Sequence, residues 1–265
     1  DKRVQVASIG PAGENLVRFA SVVTHGCVAA RAGMGCVMGS KNLKAVAALG
    51  SLEIPIAKRD EYLKDCIDAQ KEILKNPFTP GLSRFGTPQL SVPMSEVGRF
   101  PTKNHQQGHF EFVEDISAER IEKDYFVRKI ACFACPIGCH HIVEVKEGKH
   151  KGVSLVLEYE TVNALGARCW NRDLPSIIRA DYLCDDYGLD TISTGASIAF
   201  AMELHEKGIL TSNDTDLNLT WGNSDTVLEL VTRITYRKEL GNTLAEGVRR
   251  AAKAIGRGSE YYAMH

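Results

Sequence analysis

The run DLPSIIRADYLCDDYGLDTISTGASIAFAMELHEK, residues 173–207, holds two helices placed end to end. Asp173 can cap the first, with Pro175 in its opening turn and Gly188 ending it. The second spans 191–207 and is closed by Gly208. Working downstream, 226–240 and 243–255 give two further helical patterns, each followed by a glycine. The C-terminal half is therefore read as helical.

Upstream the pattern changes. Residues 3–9 alternate like a strand and run into Gly10-Pro11-Ala12-Gly13, a turn. Residues 16–24 (LVRFASVVT) are apolar and β-branched and predict a second strand; 43–49 (LKAVAAL) predict another. Between them, GCVAARAGMGCVMGSKN at 26–42 has four glycines and no periodicity, which argues against plain core. The character shifts near Ile54-Pro55. Residues 58–75 predict an amphipathic helix halted before Asn76-Pro77. Residues 77–112 hold five of the nine prolines and read as a long ordered loop. A short helix starts at 117–120, and strands are predicted at 141–145 and 153–157. The expected fold is α+β, with a β-rich segment at 1–54 and a mainly helical domain at 55–265.

Composition narrows the function classes. The chain has 265 residues, with 32 Lys+Arg against 33 Asp+Glu, a formal net charge of −1. A nucleic-acid binder usually shows a clear basic excess, so that class is disfavoured. No run of about 18 apolar residues predicts a membrane span. The opening DKRVQVASIG reads as a strand rather than a basic-then-apolar leader, so a cytoplasmic location is expected.

Eight cysteines are the unusual feature, and in a chain without a leader they point to thiols or metal ligands rather than disulfides. Residues 132–139, CFACPIGC, place Cys132, Cys135 and Cys139 in a C-x2-C-x3-C run. Three thiolates this close suit one inorganic site, and a run of this kind supplies ligands to a [4Fe–4S] cube. Zinc is the competing metal, although its sites come more often as two separated C-x2-C pairs. A cube needs four ligands. Cys169 and Cys184 are candidates for the fourth, but both fit better as small buried hydrophobes. The fourth is expected outside this chain.

Together, IGPAGENLVRFA (9–20), ARAGMGCVMGSKNLKAV (30–46), CFACPIGC (132–139), EYETVNALG (158–166) and DDYGLDTISTG (185–195) span nearly the whole chain. In these motifs the chain resembles the tungsten-containing aldehyde ferredoxin oxidoreductase family. The resemblance implies the end of a β-rich pterin-binding domain followed by a helical domain, the middle of a larger three-domain enzyme. It implies tungsten held by two pterins, with Mg2+ as a candidate bridge between their phosphates. It also implies a [4Fe–4S] cluster on Cys132, Cys135 and Cys139, passing electrons to ferredoxin or another iron–sulfur protein. The family's fourth cysteine lies in a D-x-x-G-L-C segment that this chain lacks.

The same resemblance assigns the remaining site residues. Arg31, with the backbone of Val28 and Ala30, falls in the phosphate cradle, where guanidinium and N–H groups suit oxyanions. Cys27 stands where family members often have arginine. Asp185, Leu189 and Asp190 match the pterin-holding D-x-x-G-L motif, whose carboxylate can accept paired N–H bonds. Tyr159 and Glu160 match positions close to the metal. Glu160 is the expected general base, its pKa raised in a dry pocket; the residues alone would read as a solvent-facing strand. His105, His109, His140 and His141 remain unassigned candidates near substrate or cluster.

Three functions follow as expectations. The first is an aldehyde oxidoreductase, oligomeric, interconverting aldehydes and carboxylic acids. The second is the catalytic subunit of a tungsten-dependent benzoyl-CoA (aromatic thioester) reductase, for which Cys27 and Trp170 are departures of interest. The third is a non-catalytic iron–sulfur electron-transfer subunit, against which the pterin-type residues Arg31, Asp185 and Asp190 argue.

Overall fold

The computed structural model describes residues 4–24 and 27–264. Its first part is a four-stranded antiparallel sheet built from β1 (Gln5–Ile9), β2 (Val22–Thr24), β3 (Cys27–Ala29) and β4 (Ala45–Ala48), in the order β3-β2-β1-β4. Ser8 stands opposite Val23 on one side and Ala45 on the other. Two short helices, α1 (Pro11–Glu14) and α2 (Met34–Ser40), pack beside it.

A long exposed helix follows, α3 (Arg59–Lys75), with no buried residue. Then come α4 (Thr79–Phe85), α5 (Ser91–Glu96) and α6 (Ala118–Asp124). An antiparallel three-stranded sheet is formed by β5 (Phe126–Ile130), β6 (His140–Glu144) and β7 (Ser154–Val156), with β6 central. The body of the molecule is α7 (Tyr159–Leu165), α8 (Leu174–Tyr187), α9 (Thr191–Glu206), α10 (Ser224–Thr235), α11 (Leu240–Leu244) and α12 (Val248–Ile255). Helix α9 is buried all round from Ile198 to Leu204, apolar there except for Glu203, so it is sheathed by neighbours and forms the centre of the core.

The α+β class holds, and several local expectations change. Of 16–24 only Val22–Thr24 is strand. Leu16 takes a left-handed φ of 56°, and Val17, Phe19 and Ala20 are buried in the helical core. Arg237 donates to the carbonyls of Asn15 and Leu16, each at 2.6 Å, and Arg18 N–H donates to Ala245 O at 2.9 Å. These long-range contacts override β propensity.

The proline-rich 77–112 is not a continuous loop: it contains α4, α5 and short 3-10 turns. Pro80 and Pro88 sit in first turns, where a missing N–H costs nothing. Of the 26–42 stretch, Gly26 lies outside the described residues, and the rest holds β3, a 3-10 turn at Arg31–Gly33, and α2. The pattern at 243–255 splits at Gly247, whose φ of 80° separates α11 from α12. Strand β5 had no expectation. A 3-10 turn at Ser259–Tyr262 follows α12. No helix among the described residues is long and apolar enough to cross a membrane.

Candidate functional site

The two motif-bearing halves meet backbone to backbone. Ser21 N–H donates to Gly188 O at 2.8 Å, Asp190 N–H donates to Phe19 O at 3.0 Å, and Ala20 bridges Leu189. Gly188 ends α8 in the left-handed region with φ of 72°. Gly10 approaches so closely that a Cβ there would lie 2.8 Å from Gly188 N and closer still to Tyr187 O. This seam lays the 27–35 segment over the α8–α9 turn.

Between them lies a cavity of about 360 Å3. Val28, Ala30 and Arg31 line one wall, while Asp185, Leu189 and Asp190 line the other. Glu160 closes a third side, and Cys27 faces the cavity as well. The sequence reading missed Asp181, Glu158 and Thr191, which also face inward, and left His140 unassigned. Asp181 precedes Asp185 by one turn of α8, so an i,i+4 carboxylate pair was the signal available for it.

Burial governs the charges here. Asp181 is buried, which pushes its carboxyl well above the usual range, and the neighbouring Asp185 adds to this. Burial raises Asp185 to about 6. Both effects penalise the ionised form in a region poor in water. Asp190 differs: its carboxylate caps α9, accepting from the N–H groups of Ile192 (3.1 Å) and Ser193 (3.2 Å) and from Ser193 Oγ. Arg31 Nη1 stands 3.8 Å from Asp190 Oδ2, with the arginine side chain 64% exposed. The guanidinium is thus held loosely and faces the opening.

Glu160 lies in the first turn of α7, not on a strand, and it is exposed at the cavity rim rather than enclosed in a dry pocket. Tyr159 does not line the cavity. Its ring packs 5.8 Å from Phe100, and burial raises its phenol. Glu158, the N-cap residue of α7, accepts from Thr87 Oγ1 and lies 3.7 Å from His140 Nε2.

The cysteine loop opens beside this site. Cys135 N–H donates to Cys132 O at 3.0 Å, and left-handed Ala134 and Gly138 curl the backbone. Cys132 is exposed and Cys135 and Cys139 are half-buried; none of the three is in a disulfide. His140 Nε2 is 3.9 Å from Cys132 Sγ, so His140 spans from the cavity to the loop. Among the described residues no three His, Cys, Asp or Glu side chains converge on one metal ion. A cube asks for something else, since each thiolate binds its own iron. Cys169 and Cys184 are sealed in the core. Burial takes the Cys169 thiol to about 12 and raises Cys184 strongly, and Cys169 Sγ faces Ala164 O at 3.4 Å. They pack as small apolar groups. His109 bonds within the α5 region and His141 faces Ser83 O, both away from the cavity.

Matches to known proteins extend over both parts of the chain. Residues 64–265 match the family model described as aldehyde ferredoxin oxidoreductase, domains 2 and 3, and residues 1–50 match its N-terminal domain. A tungsten-containing aldehyde ferredoxin oxidoreductase of Thermococcus kodakarensis is 44% identical over 260 residues, covering 96% of this chain and 42% of the relative. An aliphatic sulfonate oxidoreductase, WOR-like subunit, of Pyrococcus furiosus is 36% identical over 93% of this chain and 40% of its own length. The solved active-site complex of benzoyl coenzyme A reductase with 1,5-dienoyl-CoA superposes with a TM-score of 0.79 at 31% identity. That match covers 98% of this chain and 41% of the solved one. The chain spans about two-fifths of the length of the relatives it matches.

Proposed function

The chain belongs to the aldehyde ferredoxin oxidoreductase family, and from that premise we propose that it carries the cofactor-facing part of an enzyme interconverting aldehydes and carboxylic acids. The reading includes tungstopterin, a [4Fe–4S] cluster, and ferredoxin or a similar iron–sulfur protein as electron partner. One observation carries it: a single cavity is walled by Arg31, Glu160 and Asp185, with His140 spanning from it to Cys132.

The residues present suit the implied groups. Asp185, in the last turn of α8 and facing the cavity beside Leu189, can accept the paired N–H groups of a pterin. Arg31 and the small-residue backbone at Val28 and Ala30 can take phosphate oxygens, with or without Mg2+ between them. Cys132, Cys135 and Cys139 would each bind one iron, the fourth ligand coming from elsewhere. When bound, tungstopterin supplies two-electron redox chemistry.

The chain's own residues handle the protons. Conversion of an aldehyde hydrate to its acid releases two electrons and two protons. Glu160, at the rim where substrate and water enter, accepts one of those protons at its carboxylate, and the other passes to water at the open rim. In the reverse direction it returns that proton. His140 keeps the cluster loop and the cavity in register by facing Glu158 and Cys132 together.

Viologen reduction by a panel of aldehydes on the full-length enzyme, with tungsten and iron analysis, tests this reading. Aldehyde-dependent reduction with both metals present is expected. No activity with any aldehyde, or iron without tungsten, overturns it. The fold match supports one second reading, reduction of an aromatic acyl-CoA. Turnover of benzoyl-CoA in the absence of aldehyde activity would favour that reading.

A further inference from the structure

A second cavity, about 900 Å3, abuts the first and shares Arg31 and Ile192 with it. Its walls carry six cationic side chains, Arg18, Arg31, Arg168, Arg249, Arg250 and Lys253, against one carboxylate, Glu246. That carboxylate is already engaged by Arg18 at 3.0 Å and by Arg237 at 2.8 Å. Arg249, Arg250 and Lys253 form no ion pair among the described residues. His105 also faces the cavity, and burial followed by the nearby Arg168 favours its neutral form, so it does not add a seventh charge.

Arg168 is the decisive residue. It is 7% exposed, and its Nε is buried without a hydrogen-bond partner. Its other nitrogens make only long contacts, 3.5 Å to Ile192 O and 3.5 Å to Asn163 Oδ1. A buried guanidinium is expensive unless paired, and none of the described carboxylates forms an ion pair with it. Helix α12 adds to the field, since it starts at Val248 in the cavity wall with no side-chain cap. Lys103, Asn104 and His105 all take left-handed φ values, 45°, 48° and 68°, and Asn104 N–H bonds Arg168 O at 3.0 Å. The chain therefore accepts local strain where it sets His105 and Arg168 side by side.

We propose that this cavity binds the anionic end of the substrate, a phosphate or carboxylate group, with Arg168 as its buried anchor and Arg249, Arg250 and Lys253 at its mouth. The inference deepens the proposed function and rests on it, because it names the substrate class as an aldehyde or acyl compound bearing a second, anionic group. The cofactor phosphates are a poorer occupant. Of the three residues assigned to them, Val28 and Ala30 line the first cavity and not this one, and only Arg31 lines both.

The test uses the full-length enzyme with glycolaldehyde phosphate and glycolaldehyde as paired substrates. Wild type should show a kcat/KM ratio favouring the phosphorylated substrate at least tenfold, carried by KM. Arg168→Gln should lower that ratio at least tenfold, Arg168→Lys should lower it less, and the exposed Arg249→Gln should lower it about threefold. Arg128→Gln, on β5, serves as the control and should leave it unchanged. Equal effects on both substrates, no preference in wild type, or loss of tungsten from Arg168→Gln would overturn the proposal. If neither aldehyde turns over, the proposed reaction fails separately, and calorimetric titration with inorganic phosphate reads the site alone. Binding by wild type that weakens at least tenfold in Arg168→Gln keeps the anion site. Absence of binding removes it.

Discussion

Replacing Asp185 by Asn should make the cofactor-free protein more stable at neutral pH. Burial lifts the Asp185 carboxyl from an ordinary 3.8 to about 6, so its proton is held more tightly in the folded than in the unfolded chain. The unfolded chain ionises near pH 4 and the folded one near pH 6, so stability falls as pH rises across that window and is level above it. Each pKa unit corresponds to about 1.4 kcal/mol, so the loss approaches 3 kcal/mol at pH 7. Asn cannot ionise and escapes it. Denaturant unfolding of wild type and Asp185→Asn, cofactor-free, at steps from pH 4 to pH 7.5 reads the difference directly. The advantage of Asn should be small at pH 4, grow through pH 6 and then stay constant. A difference that does not vary with pH would refute the reasoning, since steric or packing effects of the substitution carry no such pH dependence. With tungstopterin bound the advantage should shrink or reverse, because a ligand that binds only the folded state through Asp185 adds stability by mass action.

Other outcomes follow from the same geometry. Glu160→Gln should retain tungsten and iron but lower kcat by about 10²- to 10⁴-fold, as expected for loss of a general base; full activity would remove it from that role. Cys132→Ser, Cys135→Ser and Cys139→Ser should each lower iron content and the cluster's electron paramagnetic resonance signal, whereas Cys66→Ser on α3 should leave both unchanged. Gly10→Ala should cost about 2–3 kcal/mol in thermal or denaturant unfolding, because its methyl group meets the Tyr187 and Gly188 backbone. A neutral result there would mean the seam is looser than the structure has it.

Helices α8 and α9 were legible because their signals are local: Pro175 in a first turn, Gly188 and Gly208 at the ends, and an apolar run between. The cavity was legible only in pieces. Arg31, Glu160, Asp185 and Asp190 could be named one by one, but their meeting depends on the Ser21–Gly188 contact, 167 positions apart, which no local pattern encodes. The segment 16–24 misled for the same reason. Its apolar content is real, but it is spent in the helical core, where Arg237 pins Asn15 and Leu16. Prolines in 77–112 were read as breakers when two of them start helical turns. Arg168 carried no sequence signal at all, because an unpaired buried guanidinium is recognisable only once its surroundings are known.

The backbone seam at Gly10 and Gly188 has a mechanical meaning. A joint padded with side chains has give, since rotamers can swing and let its two sides drift apart or close. Here main chain rests on main chain, so the distance from the Arg31 turn to the Asp185 helix end has no soft component to adjust. That gauge is set once, by folding. Whatever sits between those walls must match a fixed width, and any accommodation of a larger or smaller guest has to take place at the open rim, where Arg31 and Glu160 are free to swing.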